Sequence, residues 1–201
     1  MMRLFRRLSL IAIMNFMAIG AYSQTQEIKV NLLAGALTIF NPSLEIGFGK
    51  ASAITMDYVG AYAEEDFMNT GYPFLFTMGV FGYRHYMATD NHKGFFVSGD
   101  LGLDQFRMNK NVIPLVASDH SESGYDVGHG YLLGVTLGYK YNLCRHLNVE
   151  ASISGGWHLA QHECYDSNGV RSVELNASGE WTLYKAGIYL SYIFGSSKSD
   201  M

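Results

Sequence analysis

One predicted β-strand carries a carboxylate, a hydroxyl and an imidazole on the same face, at a spacing of four residues. These groups belong to Glu150, Ser154 and His158, the side-chain types of a serine hydrolase. Residues four apart in a strand are separated by about 13 Å, whereas a nucleophile and its base must touch. We therefore expect these three polar side chains to fill the interior of a barrel, and we expect no enzyme activity. A lipid-modifying enzyme remains the alternative, with partners supplied by other strands.

Three histidines and a cysteine in or near the two longest predicted loops form a second candidate group. They are His120, His129, His162 and Cys164, and zinc binds such ligands. Only His162 and Cys164 stand close in sequence, two residues apart. The spacing favours solvated histidines, so we expect no metal site and no cofactor.

The elements that position these residues are strands, because apolar and polar residues alternate along most of the chain. GYLLGVTLGYKY, residues 130–141, shows the pattern most clearly. No amphipathic helical pattern of useful length competes with it. Eight segments are predicted: Glu27–Gly35, Ser43–Lys50, Ala53–Tyr62, Pro73–Met87, Phe95–Arg107, Gly128–Tyr141, Leu147–Ala160 and Glu180–Phe194.

Short and long connections alternate between these segments. The short ones are Lys50–Ser52, Ala88–Gly94 and Asn142–His146, together with Ala36–Pro42 at the other end. The long ones are Ala63–Gly71, Met108–Val127 and Gln161–Gly179. Short turns at one end and longer loops at the other are typical of an outer-membrane barrel. The predicted fold class is all-β, an eight-stranded antiparallel up-and-down transmembrane β-barrel.

Aromatic residues at both ends of the apolar face decide which face is outside. Tyr131 and Tyr139 flank Leu133, Val135 and Leu137. Because strands in such a barrel are tilted, the two tyrosines are about 20 Å apart along the barrel axis. That height fits a bilayer, so we expect the apolar face to meet lipid. The predicted aromatic girdle comprises Tyr131, Tyr139, Tyr141, Trp157, Tyr184, Tyr192 and Phe194.

The opposite, polar face carries charges of both signs in mid-strand, which we expect inside the barrel. This predicted interior network comprises Lys29, Glu45, Asp57, Arg84, Asp100, Asp104, Lys140, Glu150, His158 and Lys185. Lys140 and Glu150 should meet near the Asn142–His146 turn, with Lys185 as a possible third member. Eight strands enclose only enough room for side chains, which argues against an open pore. The fourth segment has two partly apolar faces, and its facing stays open.

The N-terminus has the pattern of a secretory signal. Basic residues precede an apolar run, Leu8 to Gly20, that is too short for a usual membrane span, and small residues follow at Ala21 and Ser23. We predict a signal peptide over residues 1–23 and a barrel domain over residues 24–201. The formal charge of −4 argues against nucleic-acid binding. Cys144 and Cys164 fall at opposite ends of the seventh strand, so no disulfide is expected between them.

Four short motifs resemble a known family. They are KVNLL at Lys29–Leu33, NPSLEIGFGK at Asn41–Lys50, GYRHYM at Gly82–Met87 and YIF at Tyr192–Phe194. They resemble an uncharacterised family of small outer-membrane barrels, domain of unknown function three-five-seven-five, whose fold is similar to OmpA/OmpX-type barrels. The resemblance implies an outer-membrane location and no established activity. The family often has an acid two residues before the arginine, where this chain has Gly82.

The sequence therefore predicts a non-enzymatic outer-membrane protein, a structural scaffold that presents external loops on the cell surface. The expected partners are the lipid bilayer and the barrel-insertion machinery, for which the aromatic end of the last strand, Phe194, resembles the recognition signal. The resemblance adds a hint of surface-fibre assembly or adhesion, with surface or fimbrial proteins as partners. A secreted lipocalin-like binding barrel is the remaining alternative.

Overall fold

The computed structural model describes residues 25–63, 73–88, 92–109, 124–166 and 168–194, and only the backbone of residues 173–178. The predicted signal peptide and His120 lie outside these ranges. Within them, no helix is long and apolar enough to cross a membrane.

Eight antiparallel strands follow one another around a closed barrel, in which β8 returns to pair with β1. This confirms the predicted all-β, up-and-down barrel. The strands are β1 Thr25–Asn31, β2 Pro42–Phe48, β3 Ser52–Ala63, β4 Phe74–Tyr86, β5 Gly94–Met108, β6 Gly124–Cys144, β7 Leu147–Asp166 and β8 Arg171–Ile193. The connections β2–β3, β4–β5 and β6–β7 define the turn end of the barrel. The opposite end is called the loop end.

The first strand ends earlier than the predicted segment Glu27–Gly35, which was wrong beyond Asn31. A short helix, α1 (Leu32–Ala36), follows instead. The Asn31 side chain accepts hydrogen bonds from the backbone N–H groups of Leu33 and Ala34, at 3.1 and 3.2 Å. An asparagine that satisfies free N–H groups in this way starts a helix and ends the strand.

The predicted loop Gln161–Gly179 is instead a β-hairpin, because β7 and β8 run on to Asp166 and Arg171. The Asp166 carboxylate accepts the backbone N–H groups of Asn168 and Val170 at 2.9 and 2.8 Å, and Gly169 has a φ of 75°. Asn-Gly between extended runs is a strong hairpin signal, and it was available at Asn168 and Gly169 to predict this turn. The N-terminal part of β6 likewise occupies Gly124–Val127 of another predicted loop.

Side chains alternate around the wall as the sequence predicts. Odd-numbered residues of β6 such as Leu133, Val135 and Leu137 are half or more exposed, whereas Thr136 and Lys140 are buried. The unassigned β4 turns Phe74, Met78, Val80 and Arg84 inward. The middle of the outer surface is therefore apolar, and the turn-end half of the interior is charged.

Most predicted girdle residues lie on this outer face, and Tyr184 is the exception. Tyr139 packs against Phe95 at the turn end, with ring centroids 4.7 Å apart. Trp157 packs against Trp181 on the loop side, at 5.8 Å. The four remaining members, Tyr131, Tyr141, Tyr192 and Phe194, are all exposed.

Tyr184 is not a girdle residue, because a β-bulge turns it inward. Ser154 of β7 pairs with Lys185, and Gly155 pairs with Leu183, so Tyr184 is the extra residue between them. Its hydroxyl donates to Asp100 at 2.5 Å. Gly134 makes room for the ring, since a Cβ there would lie 2.6 Å from a Tyr184 ring carbon.

Candidate functional site

The turn-end half of the barrel is filled by six charged side chains, which we call the ionic cluster: Glu27, Lys29, Glu45, Arg84, Lys140 and Glu150. The alternation of β1, β2, β4, β6 and β7 turns them all to one interior, where each is at most 3% exposed. Three cations face three carboxylates. This balance matters because an isolated charge buried away from water is costly.

Glu45 is the residue through which most of the ionic cluster is connected. Its two oxygens accept hydrogen bonds from Lys29 at 2.5 Å, Arg84 at 2.8 Å and Lys140 at 2.5 Å. The buried hydroxyl of Tyr86 donates a fourth, at 2.6 Å. Glu150 binds two of these three cations, accepting from Lys29 and from both terminal nitrogens of Arg84.

The expected contact between Lys140 and Glu150 is wrong, although their predicted register is right. The two residues are paired across β6 and β7, but the Lys140 ammonium reaches across the interior to Glu27 and Glu45. Lys185 is not a third member either, because it pairs with Asp57 at 2.5 Å. In a narrow barrel a long side chain can reach strands on the far wall. A residue on the adjacent strand is therefore not always its partner.

Two further predicted network residues, Asp100 and Asp104, form separate groups nearer the loop end of the barrel. Asp100 accepts hydrogen bonds from Ser98 and Tyr184 at 2.6 and 2.5 Å, and from the Thr136 hydroxyl. Asp104 lies 2.8 Å from His158 Nε2. Gly82 belongs to the first group: a Cβ there would lie 2.5 Å from Asp100 Oδ1, so the space of an acid is already filled.

The candidate hydrolase residues contact different partners. Glu150 lies in the ionic cluster, Ser154 hydrogen-bonds Thr136 at 2.7 Å, and His158 pairs with Asp104. The three side chains therefore belong to three different hydrogen-bonded groups. Glu27 and Tyr86 were not among the predicted network residues. Glu27 shares the parity of Lys29, which is a signal for its facing, whereas Tyr86 lies on the strand whose facing stayed open.

An apolar chamber of about 200 Å³ occupies the loop-side half of the interior. Its walls are inward side chains of β3 to β7, among them Val59, Phe74, Met78, Phe106 and Leu132. The polar part of its wall includes the Asp104–His158 pair, with Glu180 and Thr182 of β8 also in the lining. Gly130 leaves room for that pair, because a Cβ there would lie 2.1 Å from His158 Nε2.

The chamber lies beside a low point of the barrel wall. β1 pairs with β8 only from Glu27 to Asn31, opposite Ile193 to Tyr189. Among the described strands, β8 therefore has no neighbour on that side between Tyr189 and the loop end. The segment after β1 covers part of the gap: α1 contacts β8, and Phe40 bridges to Gly60 of β3. Ile39, Val59, Leu183 and Tyr184 line the chamber at this point, which we call the side slot.

We predict that the coupling energy in a double-mutant cycle is large for Lys140→Met with Glu45→Gln. Each single change leaves buried charges unbalanced, which costs about 3–5 kcal/mol, and the double mutant should lose at least about 1 kcal/mol less than the sum. The measurement is the free energy of unfolding in urea, in detergent micelles.

The matched control is Lys140→Met with Asp104→Asn, because Asp104 pairs with His158 in the other half of the barrel. These losses should add to within about 0.5 kcal/mol. Additive losses for Lys140 with Glu45 would contradict the observed geometry of the ionic cluster.

Comparisons with known proteins give one match. No curated protein and no solved structure matches the chain, so the likeness to OmpA/OmpX-type barrels stays a prediction. The model of one family matches residues 8–194, nearly the whole chain. The chain therefore belongs to the family described as "Protein of unknown function (DUF3575)".

Proposed function

We propose that this chain is a non-enzymatic outer-membrane barrel that anchors strands and loops at the cell surface and does not conduct solutes. The observation that carries the proposal is the inverted polarity of the barrel, with charged side chains inside its turn-end half and apolar side chains on its outer face. A soluble lipocalin-like barrel has the opposite arrangement. Formation in the membrane would require the barrel-insertion machinery, to which the aromatic end of β8 is suited.

The outer belt is too apolar to face water. Leu101, Leu133 and Phe95 are 60, 65 and 67% exposed, and neighbouring strands carry similar residues at the same height. Soluble monomers rarely expose contiguous apolar patches larger than a few hundred Å². Closure of the strands also satisfies backbone hydrogen bonds around most of the wall, as hydrocarbon surroundings demand.

Passage through the barrel is blocked at the turn end. The ionic cluster fills the cross-section with side chains that are bonded to one another. Below it, the buried His92 in the β4–β5 turn contacts the Ser52 carbonyl at 3.0 Å and packs edge-on against Tyr86. This supports an anchoring role and argues against a pore.

The loop end offers the surface for partners. β6, β7 and β8 are 21, 20 and 23 residues long, about twice the length that a membrane strand needs. The excess extends past Trp157 and Trp181 and ends in the Asp166–Val170 turn. Surface or fimbrial proteins would meet this three-stranded extension.

We predict that the β7–β8 turn lies outside the cell and the β6–β7 turn lies in the periplasm. Native Cys144 is exposed at the turn end, and Val170 is exposed at the loop end. A membrane-impermeant maleimide should label Val170→Cys in a Cys144→Ser background on intact cells. Wild-type Cys144 should be labelled only after the outer membrane is permeabilised.

Both chains share the buried Cys164, so the pair is matched for background labelling. Gel migration before and after boiling reports whether each variant is folded. Labelling in the reverse order, or recovery of folded chain as a soluble periplasmic protein, would contradict the proposal.

A second candidate function, binding of an alkyl chain, is favoured by the chamber and its side slot. At the side slot the chamber is lined by residues of β3, β8 and the segment after β1, and the Asp104–His158 pair could hold a polar head. This candidate is related to the lipid-modifying alternative in the sequence analysis, but it requires only binding of a lipid and no reaction.

Filling the chamber tests this second function. Ala160 is 2% exposed and lines the chamber, so Ala160→Phe should abolish saturable binding of a fluorescent fatty acid to the barrel in nanodiscs. Gly79→Phe is the control, because a Cβ at Gly79 meets nothing within 4 Å. Equal binding by wild type and Ala160→Phe would exclude the chamber as the site.

A further inference from the structure

Three metal-ligating side chains meet inside the loop end of the barrel. They are Asp126 of β6 and His162 and Cys164 of β7, which are 5, 2 and 4% exposed. One ligand atom from each lies within 4.8 Å of the others. Cys164 is about 18 Å beyond Trp157 along the barrel axis, above the apolar belt.

The strand register builds this group. Asp126 is paired directly with Cys164, and His162 stands two residues before Cys164 on the same face. Gly128 is paired with His162, and a Cβ at Gly128 would lie 2.8 Å from the His162 Cβ. The pairing of β7 with β8 shifts on both sides of Cys164, and such bulges re-aim side chains near functional sites.

Imidazole, thiolate and carboxylate are the three ligand types that zinc takes in proteins. Zinc bonds of about 2.0–2.3 Å place tetrahedral ligands roughly 3.3–3.8 Å apart, so a closure of about 1 Å by side-chain rotation would complete the geometry. An aspartate and a cysteine thiolate together balance the charge of a divalent ion.

We propose that Asp126, His162 and Cys164 bind a divalent transition-metal ion, with zinc as the natural occupant. The ion joins β6 to β7 at the point where the β7–β8 pairing is irregular, and thereby holds the three-stranded extension in one conformation. The cysteine gives up its thiol proton on binding. Three protein ligands leave one position for water.

The test uses the full folded barrel in detergent, reduced and without a polyhistidine tag, titrated with cobalt(II). The wild-type chain should bind one ion with a thiolate-to-cobalt charge-transfer band and the visible bands of a tetrahedral ion. Zinc should displace the cobalt and remove both. A folded wild-type chain without these bands would overturn the proposal.

Substitutions identify the ligands. Cys164→Ser should abolish the charge-transfer band, whereas Cys144→Ser, at the exposed turn-end cysteine, should retain it. His162→Ala and Asp126→Asn should weaken zinc binding by about 10- to 100-fold or more, since even a residue that only supports a ligand has such an effect. His129→Ala is the histidine control and should bind normally, because His129 faces outward.

Two measurements keep the result independent of folding defects. Gel migration before boiling shows which variants form the barrel. X-ray absorption at the zinc edge needs no variant: the wild-type complex should show one sulfur at about 2.3 Å among lighter ligands. A band that persists in Cys164→Ser, or a zinc shell without sulfur, would assign the ion to another place and refute the site.

Discussion

The burial of balanced charges in a narrow interior is the constraint on which the rest of this structure depends. Glu45 and Glu150 form ion pairs with Lys29 and Arg84, and Glu45 and Glu27 form ion pairs with Lys140. Because these groups need one another, the alternate residues of each strand must turn outward. Those outward residues are aliphatic and aromatic, so the same alternation that builds the ionic cluster also builds the apolar belt.

The two halves of the interior have different chemistry. The turn-end half is ionic and tightly bonded, whereas the loop-side half holds an apolar chamber whose wall includes the Asp104–His158 pair. The short β1 and β2 strands lower the wall beside the chamber, and α1 covers part of the gap. Long β6, β7 and β8 strands raise the opposite wall into an extension. An anchoring function needs only the ionic turn-end half. Binding of a partner or a ligand would use the chamber, the lowered wall and the extension.

Alternation predicted the inward face of seven strands because charged and apolar residues there keep opposite parity along most of each strand. β4 stayed open because Phe74, Phe76 and Met78 line the apolar chamber and Val80 belongs to the apolar cluster beside it, which removes the contrast between the two faces of the strand. Pairing partners within the cluster depend on side chains that cross the barrel, which local spacing does not encode. Tyr184 was predicted on the wrong face because a β-bulge reverses the alternation of side chains there. Asp126 was not predicted because only the register between β6 and β7 brings it next to Cys164.

The central claim is that the outer face of this barrel meets hydrocarbon, and its two tryptophans test that claim without any mutation. Trp157 and Trp181 are the only tryptophans in the chain, and they pack together on the outer wall. In vesicles of lipids brominated along their acyl chains, tryptophan fluorescence should be strongly quenched relative to unbrominated vesicles, and aqueous iodide should quench it little. Strong quenching by iodide with no effect of brominated chains would contradict the account.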